Sequence, residues 1–390
     1  MHQGTHEIAL IFAAAMLAGL IFIRLRQPAL IGFILVGAIL GHSGLGIIDS
    51  TENLRVLAEL GVTLLMFVIG MELSLRSFRR TYRVSIIVAI TQLIVALLVA
   101  ALIGYFAEWS FPRIIAIGFA FALSSTAVGL RVLEDTGELR THAGQIAVGV
   151  LIAQDLLTAP MLITINGLAS GQSPALNILG KLILTMAILI TLIVFLSKRE
   201  KFRMPFSEWV TDNSGTVALA ALTLCFCLGA MAELIGLAVP FGAFLAGLIL
   251  GNSVDRQKYL HAVMPIQEVL MMLFFLSIGL LIDVEYILKH LPTILMSVVV
   301  LMITKSLVTY FIFRLTGTHK GDAAVASAAL GSMGEFSFVI GAAALSSAFI
   351  LPETSKLLVS VIFLSLLVTP LWLSIARKYS VTWQRHQLEI

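Results

Sequence analysis

Long apolar stretches recur along this chain from Glu7 almost to its end, and they constrain its fold more than any other feature. Many are roughly 17–25 residues long, the length that an α-helix needs to cross the hydrocarbon core of a bilayer. Hydrophobic residues make up 59% of the chain and charged residues only 12%, about half the charged share of an ordinary globular protein. Because only a membrane can solvate so much apolar surface, the sequence predicts an all-α polytopic membrane protein.

About thirteen transmembrane helices are predicted, and the whole chain, residues 1–390, is expected to form one membrane domain without a soluble regulatory domain. Several spans are short or contain Gly and Pro, as expected of helices that pack closely or break inside a protein. The first span has no basic region before it and no cleavage site after it, so we expect it to be a retained helix. The predicted spans are residues 7–23, 28–48, 54–71, 84–107, 111–133, 144–168, 177–196, 215–234, 236–251, 263–282, 291–315, 321–348 and 354–376.

The basic residues predict an orientation with the N-terminus outside and the C-terminus in the cytoplasm. In that orientation, 19 of the 25 Lys and Arg residues fall in inner loops and 5 in outer loops, while Lys305 lies within a span. Cytoplasmic loops of membrane proteins carry such an excess of positive charge. The expected location is therefore the inner (plasma) membrane. The net charge of +3 is small and gives no indication of a nucleic-acid partner.

Four segments of the first half recur in the second half, in the same order. The first match pairs residues 32–41 (GFILVGAILG) with residues 242–251 (GAFLAGLILG), which are identical at six of ten positions. Three shorter matches pair residues 68–70 with 277–279, 122–125 with 329–332, and 156–160 with 366–370. The offset is 207–210 residues throughout, which argues against chance.

This offset spans seven predicted helices, an odd number, so the second copy is expected to be inverted in the membrane. We place the first repeat at about 7–168 and the second at about 215–376, each of six helices, joined by a linker helix at about 177–196. Inverted repeats are typical of secondary transporters, whose substrate site lies near the bilayer midplane between the repeats.

Ionisable residues within the spans are functional candidates, because a charge inside a membrane is costly. Asp155, Lys305 and Glu335 are the clear examples, and Glu72 lies nearer a helix end. Asp155 is near the middle of the sixth span, where its carboxylate can bind either a proton or a cation. The unloaded carboxylate is a bare charge that resists crossing a low-dielectric region, so only loaded states should move, which is obligatory exchange. The structural alternative is a static ion pair between Asp155 and Lys305.

Two segments interrupt corresponding spans of the two repeats. Residues 123–127 (LSSTA) interrupt the fifth span, and residues 330–336 (LGSMGEF) interrupt the twelfth. Paired breaks of this kind indicate a transport site, because unwound backbone exposes carbonyl groups and helix ends. The hydroxyls of Ser124, Ser125 and Thr126 can replace lost ion hydration. The alternative interpretation is ordinary packing of helices through small residues.

The roles of Lys305 and Glu335 stay open at this point. Lys305 could balance the charge of Asp155, the charge of Glu335 or the negative ends of half-helices. It either titrates during transport or is purely structural. Glu335 is expected to be a partner for backbone dipoles or for Lys305 rather than a direct ion ligand.

In this combination of motifs the chain resembles the monovalent cation:proton antiporter-2 family, most closely the membrane domain of glutathione-gated potassium efflux (Kef-type) antiporters. The likeness covers essentially the whole chain. The motifs that carry this likeness are far more specific together, in this order, than any one motif alone. The matching stretches are AELGV from Ala58, LMFVIGMEL ending at Leu73, ALSSTA from Ala122, Gln154–Asp155, GAFLAG from Gly242, LFFLSIG from Leu273, Lys305 and GEF from Gly334.

The resemblance implies a thirteen-helix fold in which two crossed, discontinuous helices lie in a mobile core domain. It also implies elevator-like alternating access and a homodimer. In relatives with two adjacent Asp residues in the sixth span, the first is thought to pair with a lysine like Lys305. Here that position is Gln154. The Gln154–Asp155 pair is the Kef-type pattern, which points to K⁺ rather than Na⁺ as the transported ion. Both residues are therefore candidates for the ion site, and Asp155 is the expected ligand of the cation.

Two departures from the Kef-type pattern concern regulation. Kef-type chains continue into a cytoplasmic nucleotide-binding domain, and no G-x-G-x-x-G motif is present in this sequence. The acidic loop that contacts that domain is replaced by His261–Ile266, which contains no acid. Glutathione gating is therefore not expected. A separate cytoplasmic regulatory domain or subunit stays a candidate partner.

The sequence thus predicts a secondary antiporter that exchanges a monovalent cation for H⁺ and needs no cofactor. The first alternative is a gated potassium efflux channel, although no T-V-G-Y-G filter sequence is present. The second is a membrane-embedded enzyme, but no H-E-x-x-H is present, and the isolated Asp155 lacks the second acid of an aspartic site. We therefore do not expect an enzyme.

Overall fold

The structure, a computed structural model, describes most of the chain, with short gaps and with only a few residues described between Ala169 and Ser214. The described residues are 3–25, 29–41, 44–47, 52–72, 75–135, 137–139, 141–169, 180, 183–185, 187–188, 191–192, 195–196, 214–235, 237, 239–280 and 282–388.

Within these residues the secondary structure is helical, and no strand is assigned. We number the helices with defined bounds in chain order. They are α1 (Gln3–Arg24), α2 (Ala29–Leu40), α3 (Glu52–Glu72), α4 (Leu75–Phe106), α5 (Phe111–Ala122), α6 (Thr126–Asp135), α7 (His142–Ala169), α8 (Ser214–Leu234), α9 (Val239–Gly251), α10 (Arg256–Leu280), α11 (Val284–Lys289), α12 (Leu291–Leu315), α13 (Lys320–Ala329), α14 (Glu335–Ser346) and α15 (Pro352–Leu388).

The predicted all-α polytopic fold is confirmed. Six of the described helices are long and apolar enough to cross a membrane, and they lie in α4, α7, α8, α10, α12 and α15. Shorter apolar helices, among them α2, α5, α9 and α14, supply further candidates. The count of thirteen spans stays a prediction, and most of the expected linker helix at 177–196 lies outside the described residues. Internal prolines in α7, α10 and α15 are common in transmembrane helices, where neighbouring groups satisfy the freed carbonyl.

The described residues cluster into two compact units. The first unit comprises Met1–Ile48, Thr81–Met161 and Ile278–Ile390, and the second comprises Asp49–Arg80 and Leu162–Ser277. In the second unit, α3 packs closely on α9. A methyl group added at Gly247 would lie 2.0 Å from the backbone oxygen of Phe67, so the two backbones meet at a distance that only glycine allows. Small residues commonly let helices approach in this way in membranes.

A matching glycine contact occurs within the first unit, between α2 and the end of α10. A methyl group at Gly279 would lie 2.1 Å from the backbone oxygen of Ile34 and 2.8 Å from the Cα of Gly37. In the sequence repeat, Gly37 corresponds to Gly247 and Gly279 corresponds to Gly70. The second unit shows the equivalent contact, because a methyl group at Gly247 would lie 3.0 Å from the Cα of Gly70. The same pair of glycines therefore makes this close contact once in each unit.

Candidate functional site

Two helix breaks within the first unit form the framework of the candidate site. The helix α5 ends at Ala122, and α6 begins at Thr126 after an extended residue, Leu123, with φ −76° and ψ 136°. The helix α13 ends at Ala329, and α14 begins after Gly334, which has φ −94° and ψ 166°. Both breaks occur in the segments that the sequence predicted.

The two breaks lie directly against each other. The Gly334 amide donates to the Leu123 carbonyl at 3.2 Å, and the Ser124 hydroxyl donates to the Leu330 carbonyl at 2.9 Å. A methyl group at Gly334 would lie 2.6 Å from the Ser124 carbonyl oxygen, so this contact requires glycine. Ser337 on α14 also donates to the Ala120 carbonyl on α5 at 2.7 Å. These bonds satisfy backbone groups that the interrupted helices leave without an intrahelical partner.

Two adjacent hydroxyls at the first break each bind a buried carboxyl group. The Thr126 hydroxyl lies 3.1 and 3.0 Å from the two carboxylate oxygens of Asp155, which projects from α7. The Ser125 hydroxyl donates to Glu335 Oε2 at 2.9 Å. Asp155 is 3% exposed and Glu335 is 4% exposed. Glu335 is also the first residue of α14, where the helix dipole favours a negative charge.

Lys305 on α12 bonds to the carbonyl ends of both breaks. Its ammonium group donates to the Leu123 carbonyl at 2.7 Å and to the Ser332 carbonyl at 2.9 Å. No ion pair within 4.0 Å joins Lys305 to Asp155, both of which the structure describes. Lys305 therefore binds the carbonyl groups at the helix breaks, which were one of its expected partners. It does not form the static ion pair with Asp155.

Gln154, which precedes the site aspartate, bonds to the first break. Its side-chain oxygen accepts from the Ser124 amide at 2.9 Å, and its side-chain nitrogen donates to the Ala122 carbonyl at 3.2 Å. The same nitrogen donates to Gln92 on α4 at 2.6 Å. The side chain of Gln154 therefore caps both broken ends of the fifth span, in addition to any contact that it makes with an ion.

Sequence reasoning missed Gln92 and Thr309, which connect Gln154 to Lys305. The Gln92 amide donates to the Thr309 hydroxyl, and this hydroxyl donates to the Lys305 backbone carbonyl at 2.6 Å. Both residues are buried and lie in otherwise apolar stretches of α4 and α12. A buried polar side chain in such a stretch is the signal that could have identified them, because it requires a hydrogen-bond partner.

Glu72, the remaining candidate, lies in the second unit at the end of α3. Arg256 donates to its backbone carbonyl at 2.9 Å. Glu72 therefore does not belong to the unit that contains the two helix breaks.

The arrangement offers oxygen ligands around one buried carboxylate. Asp155 supplies negative charge, and the Thr126 hydroxyl and the unwound backbone supply neutral oxygen atoms. Such ligands suit hard cations, and the same carboxylate can accept a proton. The residues that the structure describes contain no group of three or more His, Cys, Asp or Glu that could hold a metal ion.

Comparison with known proteins identifies the family of the chain. The sequence profile of the family described as "Sodium/hydrogen exchanger, transmembrane" matches residues 11–378. The chain is 36% identical over 377 residues to the iron transporter MagA of Paramagnetospirillum magneticum, and the match covers 97% of this chain and 86% of that protein.

A solved structure shares the fold. The chain matches the sodium proton antiporter MjNhaP1 from Methanocaldococcus jannaschii at pH 8 with a TM-score of 0.70 and 15% sequence identity. The match covers 96% of this chain and 98% of that chain. The chain is a multi-pass membrane protein that belongs to the sodium/hydrogen exchanger family, a family of cation:proton antiporters and not of enzymes.

Proposed function

We propose that this protein exchanges a monovalent cation, with K⁺ as the first candidate, for H⁺ at Asp155. The observation that supports this proposal is a buried carboxylate bound by Thr126 at a helix break and not neutralised by Lys305. Such a group needs a cation or a proton to offset the cost of its burial. Loading by either ligand neutralises it, so one site can serve both ions in turn.

Alternating access by an elevator-like movement of the crossed helices is part of the proposal. The breaks, Asp155 and Lys305 are joined by hydrogen bonds within one compact unit. A set of groups connected in this way can move together without losing its ligand geometry. The empty carboxylate would resist this movement, which would couple the two ion fluxes.

The choice of K⁺ rests on the Gln154–Asp155 pair, which is the Kef-type pattern. Na⁺ stays the alternative within the same mechanism, since hydroxyl, carbonyl and carboxylate oxygens bind both ions. Ser124, Ser125 and Thr126 are proposed to contribute to the ion site. Gln154 and Lys305 are proposed to hold the breaks in place, through the contacts described above.

A second candidate is transport of ferrous iron. The relative MagA is named an iron transporter, and it is 36% identical to this chain. A second carboxyl group, that of Glu335, is bound by the hydroxyl next to Thr126, so two acids lie around one pair of hydroxyls. Two carboxylates suit a divalent cation better than one does.

Reconstitution in liposomes with an imposed proton gradient tests these candidates. Addition of K⁺, Na⁺, Li⁺, Rb⁺ or Fe²⁺ should collapse the gradient only for the transported ion, in a saturable manner. We expect K⁺ to be most effective. A response to Fe²⁺ alone that is lost in Glu335→Gln would support the iron candidate instead. A flux that does not saturate and does not move protons would indicate a channel.

A further inference from the structure

A cavity of about 330 Å³ lies in the first unit, and its lining includes Ala122, at the edge of the first break, and Lys305. It is bounded by α4, α5, α12 and the beginning of α15. Along α12 it is lined by Ser297, Val300, Leu301, Thr304, Lys305 and Val308, which lie on one face of the helix. From Ser297 to Val308 the helix rises by eleven residue steps, which corresponds to about 16 Å along its axis.

One end of the cavity, which we call the outer end, lies where two helices begin, and the other end lies near the middle of two other helices. Arg113 and Thr354 line it close to the beginnings of α5 and α15, so they lie at the end where these helices begin. Gln92 and Lys305 line it from the middle of α4 and α12. The cavity therefore runs from the helix ends inward to the network that holds the first break. Apart from these groups its lining is mostly aliphatic, as at Val95 and Val361.

The outer end carries a cation without a protein counter-ion. The Arg113 guanidinium stacks on Trp109 at 4.7 Å and donates one bond to Thr354 at 2.9 Å, while its Nε is buried without a hydrogen-bond partner. Among the described residues no carboxylate lies within 4.0 Å of it, including Glu108 and Glu353, the acids next to Trp109 and Thr354 in sequence. A partly buried cation with a spare donor and no protein counter-ion is suited to bind an anion.

Aromatic side chains mark the level of this end in the membrane. Tyr105 is 80% exposed, Phe106 is 78% exposed and Phe111 is 64% exposed, and all three lie within eight residues of Arg113. Tyr105 and the nearby Trp109 are of the two residue types that collect at the boundary between hydrocarbon and lipid headgroups. Arg113 is therefore expected to lie at the depth of the lipid phosphates.

We propose that this cavity is a phospholipid-binding site, in which the lipid phosphate binds Arg113 and one acyl chain fills the aliphatic length along α12. The phosphate supplies the anion that the protein does not, with an acceptor for the free Nε–H. The acyl chain matches the length and the apolar character of the cavity wall. The far end of the acyl chain reaches Gln92 and Lys305. A bound lipid therefore restrains the side chains that hold the first break.

The test is retention of lipid by the purified, delipidated full chain, measured by native mass spectrometry after addition of dioleoyl phosphatidylglycerol. We expect one phospholipid per chain to survive conditions that remove loosely bound lipid. Dioleoylglycerol, which has the same chains and no phosphate, should be retained at least about tenfold less, since a charge-assisted hydrogen bond contributes at least a factor of this size.

Matched variants separate the site from general lipid contact. Val300→Trp adds bulk to the wall of the cavity, whereas Val299→Trp adds the same bulk at the neighbouring residue, which is similarly exposed (51% against 55%) but does not line the cavity. Arg113→Gln removes the phosphate ligand, whereas Lys289→Gln removes an exposed positive charge that does not line the cavity. We expect about tenfold weaker retention in the first member of each pair and unchanged retention in the second. Circular dichroism and gel filtration check that each variant is folded.

Three results would overturn the proposal. One is equal retention of dioleoylglycerol and the phospholipid by the wild-type chain. Another is equal retention by the Val300→Trp and Val299→Trp variants. The third is binding of inorganic phosphate that depends on Arg113 without retention of any lipid, which would make the guanidinium a simple anion site. These measurements do not depend on the exchange activity, so they stand whether or not that activity is found.

Discussion

Substitution of Gly334 by alanine should separate the two helix breaks. The added methyl group would lie 2.6 Å from the Ser124 carbonyl oxygen, 2.9 Å from its carbonyl carbon and 3.3 Å from the Ser125 nitrogen. All three are backbone atoms, so no flexible side chain can move aside. Contacts below 3.0 Å are essentially never seen and ordinary contact begins at 3.4 Å, so the backbones must move apart by about 0.4–0.8 Å from the present 2.6 Å.

A shift of this size stretches the 3.2 Å bond from the Gly334 amide to the Leu123 carbonyl beyond hydrogen-bonding distance. Overpacking costs about 1–3 kcal/mol and the lost bond about 0.5–1.5 kcal/mol, so we expect a loss of about 1.5–4.5 kcal/mol in the free energy of unfolding. The same shift moves Ser125 relative to Glu335. Ion exchange should therefore fall together with stability.

Thermal unfolding in detergent and exchange in liposomes measure the two effects. Gly180→Ala is the matched control, because a methyl group there would have no atom within 4 Å. We expect a lower midpoint and slower exchange for Gly334→Ala only. A Gly334→Ala variant with the wild-type midpoint and the wild-type exchange rate would refute the close approach of the two breaks.

Three further predictions concern the site and one surface ion pair. The double substitution Ser125→Ala and Thr126→Val should weaken cation affinity at least several-fold in exchange assays, because it removes both hydroxyls that bind the carboxyl groups; unchanged apparent affinity would mean that these residues only pack. Exchange should be electroneutral, because Lys305 bonds to backbone carbonyls rather than to the site aspartate; robust potassium-driven currents on a solid-supported membrane, abolished in Lys305→Gln while exchange persists, would contradict this. The Lys356 ammonium, 2.6 Å from Asp283, holds the pKa of that carboxyl below its ordinary value. The stability from this pair is therefore fully present above the ordinary pKa of Asp and is lost as the pH falls through the lowered pKa; acid unfolding of Lys356→Met should lack this component, and identical acid profiles would argue against it.

Much of the fold follows from local sequence. The apolar runs predict helices, because an unpaired backbone group is too costly in hydrocarbon. The breaks were predictable from the small and polar residues at 123–127 and 330–336, which recur at the same place in both repeats. The burial of Asp155 was predictable because a single acid stands in an apolar span. Each of these signals lies within a few residues of the feature that it predicts.

The partners of the site residues could not be predicted in this way. Lys305 had three candidate partners in the sequence, and only the packing of α12 against the breaks decides between them. Ser125 and Glu335 are 210 residues apart, and no local pattern pairs them. The contact between Gln92 and Gln154 likewise depends on how α4 lies against α7. Periodicity shows which residues are buried but not which distant residue each one meets.

Proton-driven exchange in liposomes that contain the Asp155→Asn variant tests most directly whether Asp155 carries both the cation and the proton. Asparagine keeps the shape of the side chain but cannot carry the charge. Asp255→Asn is the matched control, because it makes the same change at a residue that forms an ion pair with Lys258 at 3.3 Å. If Asp155 carries both ions, wild-type and Asp255→Asn liposomes lose the proton gradient on addition of K⁺, whereas Asp155→Asn liposomes keep it although the protein is folded. Exchange by Asp155→Asn at the wild-type rate would exclude Asp155 as the shared carrier.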